Sequence, residues 1–189
     1  MQTIVSENYR EQLLSLHQSS VFGNLKDIPP EIKKIIENNN IQSILDFGCG
    51  KGFLVETLKT EFPLITTYGF DPTHKIYNSL PESNVDLIMS FDVLEHIEPE
   101  NLDNVLVMLH NKCNKVMYHL IACHPAKRNL PDGRNAHLIV ESPEWWREKF
   151  KFSGWKIIDE QTKHYIATPK KGKAIDVTKY FITVEKWDN

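Results

Sequence analysis

One stretch limits the fold more than any other: Ile44-Leu45-Asp46-Phe47-Gly48-Cys49-Gly50-Lys51-Gly52. An apolar run enters it, three glycines sit at alternate positions, and a helical pattern leaves it. Glycine permits positive φ and lets a ligand come close to the backbone. The helix that follows offers N–H groups with no partner inside the helix. The segment therefore reads as strand, tight turn and helix. The GxGxG spacing differs from the dinucleotide pattern GxGxxG and from the phosphate loop GxxxxGK[ST]. With no Lys-Ser/Thr ending, nucleoside triphosphate hydrolysis is rejected. A nicotinamide-dependent oxidoreductase is disfavoured by the same spacing.

The rest of the chain repeats this alternation. Ser6 opens a helix, with Tyr9, Leu13, Leu14 and Leu16 at roughly helical spacing, and Phe22-Gly23-Asn24 breaks it. His17 is read as solvated and Phe22 as packing under the next helix. Pro29-Pro30 starts that helix, which ends at Asn38-Asn39-Asn40. Strands are predicted over 41–47, 64–70, 85–91 and 115–122. Helices are predicted from the glycine turn to about 62, over 99–113, and from Ser142-Pro143-Glu144 to Gly154. Residues 155–160 and 175–184 are expected to pair antiparallel through the basic loop Lys170-Lys171-Gly172-Lys173, read as a solvated tip. Such alternation predicts an α/β sandwich with a mostly parallel sheet and ligands outside the carboxyl ends of its strands. No repeat divides the chain. One domain is expected, with residues 1–40 as a helical cap and 41–189 as the core.

Composition removes several function classes. The net charge of −3 argues against a long polyanionic partner, so nucleic acid is disfavoured. Three cysteines, Cys49, Cys113 and Cys123, form neither a disulfide framework nor a CxxC metal knuckle. No apolar run reaches membrane-spanning length, and the first residues lack a basic start followed by an apolar stretch. The expected location is the cytoplasm, and the oligomeric state is open.

The second clue is Asp71, which ends the next strand 19 residues after Gly52. A carboxylate there can accept both ribose hydroxyls of an adenosine. With these two features in place, the sequence resembles the class I S-adenosylmethionine-dependent methyltransferases. Ile44 to Gly52 is similar to their first motif, and Tyr68-Gly69-Phe70-Asp71 to their ribose-holding acidic loop. Val85 to His96, ending Asp92-Val93-Leu94-Glu95-His96, is similar to their fourth motif. The resemblance runs from about Ile41 to Cys123. It implies a Rossmann-like three-layer sandwich with a seven-strand-type sheet. It also implies S-adenosylmethionine contacts at Gly48, Cys49, Gly50, Asp71, Pro72, Phe91 and Asp92, with Asp46 near the methionine amino group. The chain departs from the pattern once. Only 13 residues separate Asp71 from Val85, where the family fits a helix and another strand, so that strand and its adenine loop must be shortened or missing.

Asp92, Glu95 and His96 would share a face if a helical turn began at Asp92. With His137 they offer a donor set for a divalent ion. This resembles metal-dependent O-methyltransferases, including those of the ubiquinone pathway and those that methylate the 2′-hydroxyl at RNA 3′ ends. Their Glu-x-x-Glu-His cluster follows the same strand; here Asp92 replaces the first Glu. Many relatives keep Asp-Val-Leu-Glu-His with no metal, so both readings stand.

The loop from His124 to His137 is long and polar, as functional loops are. Lys127, Arg128 and Arg134 can hold a phosphate or carboxylate. His96, His124 or His137 can take a hydroxyl proton. Alternatively, Arg134 merely pairs with Asp132. Trp145 and Trp146 cannot both face inward: one is core, and Trp146 is a candidate wall of the acceptor pocket. No Asn-Pro-Pro-Tyr follows the third strand, which disfavours the DNA and glutamine N-methyltransferases. The expected enzyme methylates a hydroxyl of a small polar acceptor, such as a sugar or phosphorylated metabolite. Alternatives are metal-dependent methylation of RNA ends, or a non-catalytic binding module that keeps the fold.

Overall fold

The computed structural model describes residues 4–17, 23–168 and 174–186. Phe22 and the Lys170 to Lys173 loop lie outside the described residues, as does the side chain of His17. The elements run α1 (Glu7–His17), α2 (Pro30–Asn38), β1 (Ser43–Phe47), α3 (Phe53–Glu61), β2 (Thr66–Phe70) and β3 (Val85–Phe91). Then come 3₁₀ turns at Leu94–His96 and Pro99–Asn101, α4 (Leu102–Lys112), β4 (Cys113–Ala122), α5 (Pro143–Phe152), β5 (Trp155–Ala167) and β6 (Ile175–Lys186).

Local chemistry explains the helix ends. The Ser6 hydroxyl accepts from Tyr9 N at 3.2 Å and opens α1. The hydroxyl of Ser142 does the same for α5, with Pro143 at its first position. Gly154, at φ +84, lets the chain leave α5 in the left-handed conformation.

The described strands form one sheet in the order β2-β1-β3-β4-β6-β5. β2, β1, β3 and β4 run parallel, while β6 is antiparallel to β4 and β5. This is the α/β architecture expected, with six strands and the antiparallel pair at the C-terminal edge. The expected shortening falls where the spacing placed it: residues 72–84 contain neither helix nor strand. β2 is therefore the edge strand.

The closing hairpin exceeds its expected length. β5 continues to Ala167, paired with β6 as far as Ala167↔Ile175. Its later side chains are exposed on both faces, so no alternation of apolar and polar residues marks it in the sequence. Backbone pairing with β6 carries it. The helix expected over 99–113 is divided. A 3₁₀ turn precedes α4, and Cys113 already belongs to β4.

Apolar side chains fill both faces of the sheet. One cluster joins Leu45, Ile88 and Met117 to Leu106 and Leu109 of α4 and Trp146 and Phe150 of α5. The other joins Ile44, Leu87 and Tyr118 to Ile32 of α2 and Leu58 of α3. The carboxyl ends of the parallel strands and the start of β6 thus meet along one rim.

Candidate active site

The glycine turn is built as the sequence required. Gly48, Gly50 and Gly52 take φ of +82, +54 and +75. The amides of Gly48 and Cys49 both donate to Phe70 O at the end of β2, at 2.7 and 3.0 Å. Gly50 admits no side chain. An added Cβ would lie 2.4 Å from the Cα of Gly23, and Gly23 O accepts from Lys51 N at 3.1 Å. Sequence reading took Gly23 only as a helix breaker and missed this contact. Two distant glycines do not announce that they touch.

Asp71 is buried at the end of β2, 5% exposed. One carboxylate oxygen accepts from Gly50 N at 3.1 Å. The other accepts from Thr73 N and Thr73 Oγ1, at 2.9 and 2.5 Å. The acid therefore ties the turn to the second strand and still faces the cavity. Beneath the turn lies Asp46, whose carboxyl is pushed up to about 7 by burial, with the Asp71 charge adding.

A cavity of about 680 Å³ opens along the rim. Gly48, Gly50, Asp71 and Pro72 line one end. Phe91, Asp92, His96, His124 and His137 line the other, with Lys127 and Arg128 beside them. Helix α1 crosses above. Tyr9 donates its hydroxyl to His96 O at 2.5 Å, and Arg10 Nε donates to Pro72 O at 2.9 Å.

Five expected site residues stand off this wall. Asp46 lies under the turn. Cys49 is buried, with its sulfur against Gly69 of β2. Glu95 lies behind the wall, fully buried. Arg134 pairs with Asp132 at 2.7 Å and orders the loop. Trp146 is a correction: it is fully buried in the core between α5 and the sheet, because the inward face of α5 packs against β4 and β6. It is no pocket wall. Trp145 is the half-exposed member, with Lys149 over its ring.

The acid-histidine cluster also changes membership. Asp92 does not begin a helical turn. It sits at φ +53, and its carboxylate pairs with Lys179 of β6, a wall residue missed by sequence reading. The 3₁₀ turn starts only at Leu94. Glu95, His96 and His137 are the residues brought together, each with a ligand atom within 4.8 Å of the others'. His96 Nδ1 donates to Ala136 O at 2.6 Å, and His137 Nδ1 donates to His124 O at 2.5 Å. A carbonyl can only accept, so each Nδ1 carries a proton. Glu95 Oε1 accepts from Ala122 N at 2.9 Å, whereas Oε2 is buried without a hydrogen-bond partner among the described residues. Burial, then the Asp92 charge, raises the Glu95 carboxyl well above its usual range. Burial also lowers His137, which favours its neutral form.

A glycine turn at a strand end, a buried acid closing the next strand and a facing group of imidazoles thus meet in one cavity of an α/β fold. The sequence matches the methyltransferase domain family over residues 16–165, and the chain belongs to that family as a class I S-adenosylmethionine-dependent methyltransferase. Solved structures share the fold at low identity. One concerns conversion of a disulfide bond into a thioacetal group during echinomycin biosynthesis; it is 17% identical, covers 94% of this chain and 92% of its own, and has a TM-score of 0.60. Another is the 1,6-didemethyltoxoflavin-N1-methyltransferase of Burkholderia thailandensis, with bound 1,6-didemethyltoxoflavin and S-adenosylhomocysteine. It is 15% identical, covers 95% and 87%, and has a TM-score of 0.61. TehB of Haemophilus influenzae is 17% identical over 87% and 64%, with a TM-score of 0.59. No curated protein sequence matches the chain. Among the described residues no helix is long and apolar enough to cross a membrane.

Proposed function

We propose that the protein transfers a methyl group from S-adenosylmethionine to a hydroxyl of a small acceptor that also bears an anionic group. One observation carries this reading: a single cavity joins the Gly48-Gly50-Asp71 cradle to the imidazoles of His96, His124 and His137. The cofactor supplies a methyl already activated on a sulfonium, so the protein's main task is alignment. Asp71 and the glycine turn would hold the adenosine end, and Asp46, under the turn, would place a carboxyl near the methionine end. His137, kept neutral by burial, takes the acceptor's proton. Lys127 and Arg128 steer the anionic group. Isothermal titration with S-adenosylhomocysteine should show one site per chain. The absence of binding heat at millimolar ligand sinks the proposal.

A metal-assisted version is favoured by Glu95, whose Oε2 is buried without a hydrogen-bond partner among the described residues and whose carboxylate offers an oxygen within 4.8 Å of a ring nitrogen of His96 and of His137. Glu95, His96 and His137 would hold the ion, with Asp92 excluded by its bond to Lys179. A divalent ion there would lower the acceptor hydroxyl's pKa. The mixed carboxylate–imidazole set suits manganese, iron or zinc. A Mn²⁺ or Zn²⁺ titration should then show one site, weakened at least tenfold in His96→Ala. A metal-supplemented preparation carrying no ion would remove the metal and leave His137 as the base.

A further inference from the structure

The far end of the cavity is not made for a sugar. Phe91, Leu120 and Phe181 stand opposite one another across β3, β4 and β6, through the pairings Phe91↔Leu120 and Leu120↔Phe181. Residues directly opposite share a sheet face, so the three make a continuous apolar shelf on the α2 side, and all three line the cavity. Tyr118 lies two residues before Leu120 on the same face, its ring 5.8 Å from that of Phe91 and tilted by 46°. Tyr118 is 4% exposed, yet among the described residues its hydroxyl has no hydrogen-bond partner. Tyr118 lines the cavity, as does Glu31 of α2. Burial, with Glu31 of α2 and Asp159 of β5 adding, raises its ionisation and keeps it a neutral phenol able to donate.

A sugar presents a hydroxyl at nearly every ring carbon, and burying each without a partner is costly. Around the shelf stand the Tyr118 hydroxyl and the Lys163 ammonium, 4.5 Å from the centroid of the Phe181 ring. An aromatic ring asks for little more than apolar and aromatic contact on its faces, plus one oriented hydrogen bond at its edge. Lys179 precedes Phe181 by two residues on the same strand face and borders the shelf. Its ammonium is paired with Asp92 at one margin of the floor.

We infer that the acceptor is a hydroxylated aromatic acid: its ring lies on Phe91, Leu120 and Phe181, and Tyr118 donates a hydrogen bond to its edge. Tyr118 is then a specificity-determining residue that touches the acceptor and not the cofactor. The inference rests on the methyl-transfer reading, which it narrows.

The test uses the full chain saturated with S-adenosylhomocysteine, titrated with 4-hydroxybenzoate and separately with glucose 6-phosphate. 4-Hydroxybenzoate should bind with submillimolar affinity, and the sugar phosphate should not bind. Tyr118→Phe keeps the packing and removes only the hydroxyl. It should weaken 4-hydroxybenzoate about tenfold, the worth of one hydrogen bond, and leave S-adenosylhomocysteine affinity within twofold. Phe181→Leu, which keeps an apolar floor without the ring, should weaken it as well. Binding of glucose 6-phosphate in preference to 4-hydroxybenzoate overturns the inference. So does no binding of 4-hydroxybenzoate, or unaltered affinity in Tyr118→Phe. Failure of the unaltered protein to bind S-adenosylhomocysteine at all overturns the cofactor reading and this inference with it.

Discussion

Asp71→Ala should weaken S-adenosylhomocysteine about 100-fold or more. Among the described residues the carboxylate is the only acceptor seen for Gly50 N, and it also takes both donors of Thr73. Removing it frees the middle of the glycine turn and deletes the group proposed to hold the ribose hydroxyls. Hydrogen bonds to a charged group are worth about 1.5–3 kcal/mol each. Loss of two gives roughly 3 kcal/mol or more, and each 1.4 kcal/mol is tenfold in Kd. Asp71→Asn keeps the volume and one acceptor oxygen, so it should fall between the two. Titration calorimetry reads both. A Kd for the alanine variant within threefold of the unaltered protein would dismiss Asp71 as the ribose acid. Comparing melting temperatures separates a lost contact from a lost fold.

The second large effect concerns pH. Asp46 is ionised near pH 4 in an unfolded chain, but burial and Asp71 raise it to about 7 in the folded protein. The folded state therefore holds this proton more tightly. Its stabilising contribution is complete below about pH 4 and is lost as pH rises through 7. A shift of about three units corresponds to roughly 4 kcal/mol, an order-of-magnitude figure. His119 has the opposite sign. Its buried imidazole is lowered to about 3, so it stabilises at neutral pH and that contribution is lost as pH falls from about 6.5 toward 3. The difference between unaltered protein and Asp46→Asn cancels the histidine. In the cofactor-free state the unaltered protein should lose stability relative to Asp46→Asn between pH 5 and 8. Parallel urea-unfolding curves over that range would refute the assignment. An ammonium group brought to Asp46 should reverse the shift, so S-adenosylhomocysteine should bind with proton release near neutral pH.

How much of this could be read in advance varied with the range of the interaction. The glycine turn, Asp71 and the order of strands and helices were legible, because each is a local pattern with its own period. The missing elements after β2 were legible from a bare count of residues. The membership of the acid-histidine cluster was not. Treating Asp92 as the start of a helical turn gave it the right neighbours on paper, but a left-handed backbone and Lys179, 87 residues away, turned it elsewhere. Lys179, Phe181 and Gly23 were missed for the same reason. Each reaches the site through pairing or packing with a segment far off in the chain. Trp146 was misjudged because an amphipathic helix with adjacent tryptophans says that one is buried, not which one.

The contact between Gly23 and Gly50 gives the N-terminal segment a share in ligand binding that its position would not suggest. The Gly23 carbonyl holds Lys51 N, and the two glycine backbones touch where neither could carry a side chain. Ordering the segment that leads into α2 and holding the turn are thus one equilibrium. A ligand that binds better to the held turn tightens the segment, and by reciprocity loosening the segment weakens that ligand by the same factor.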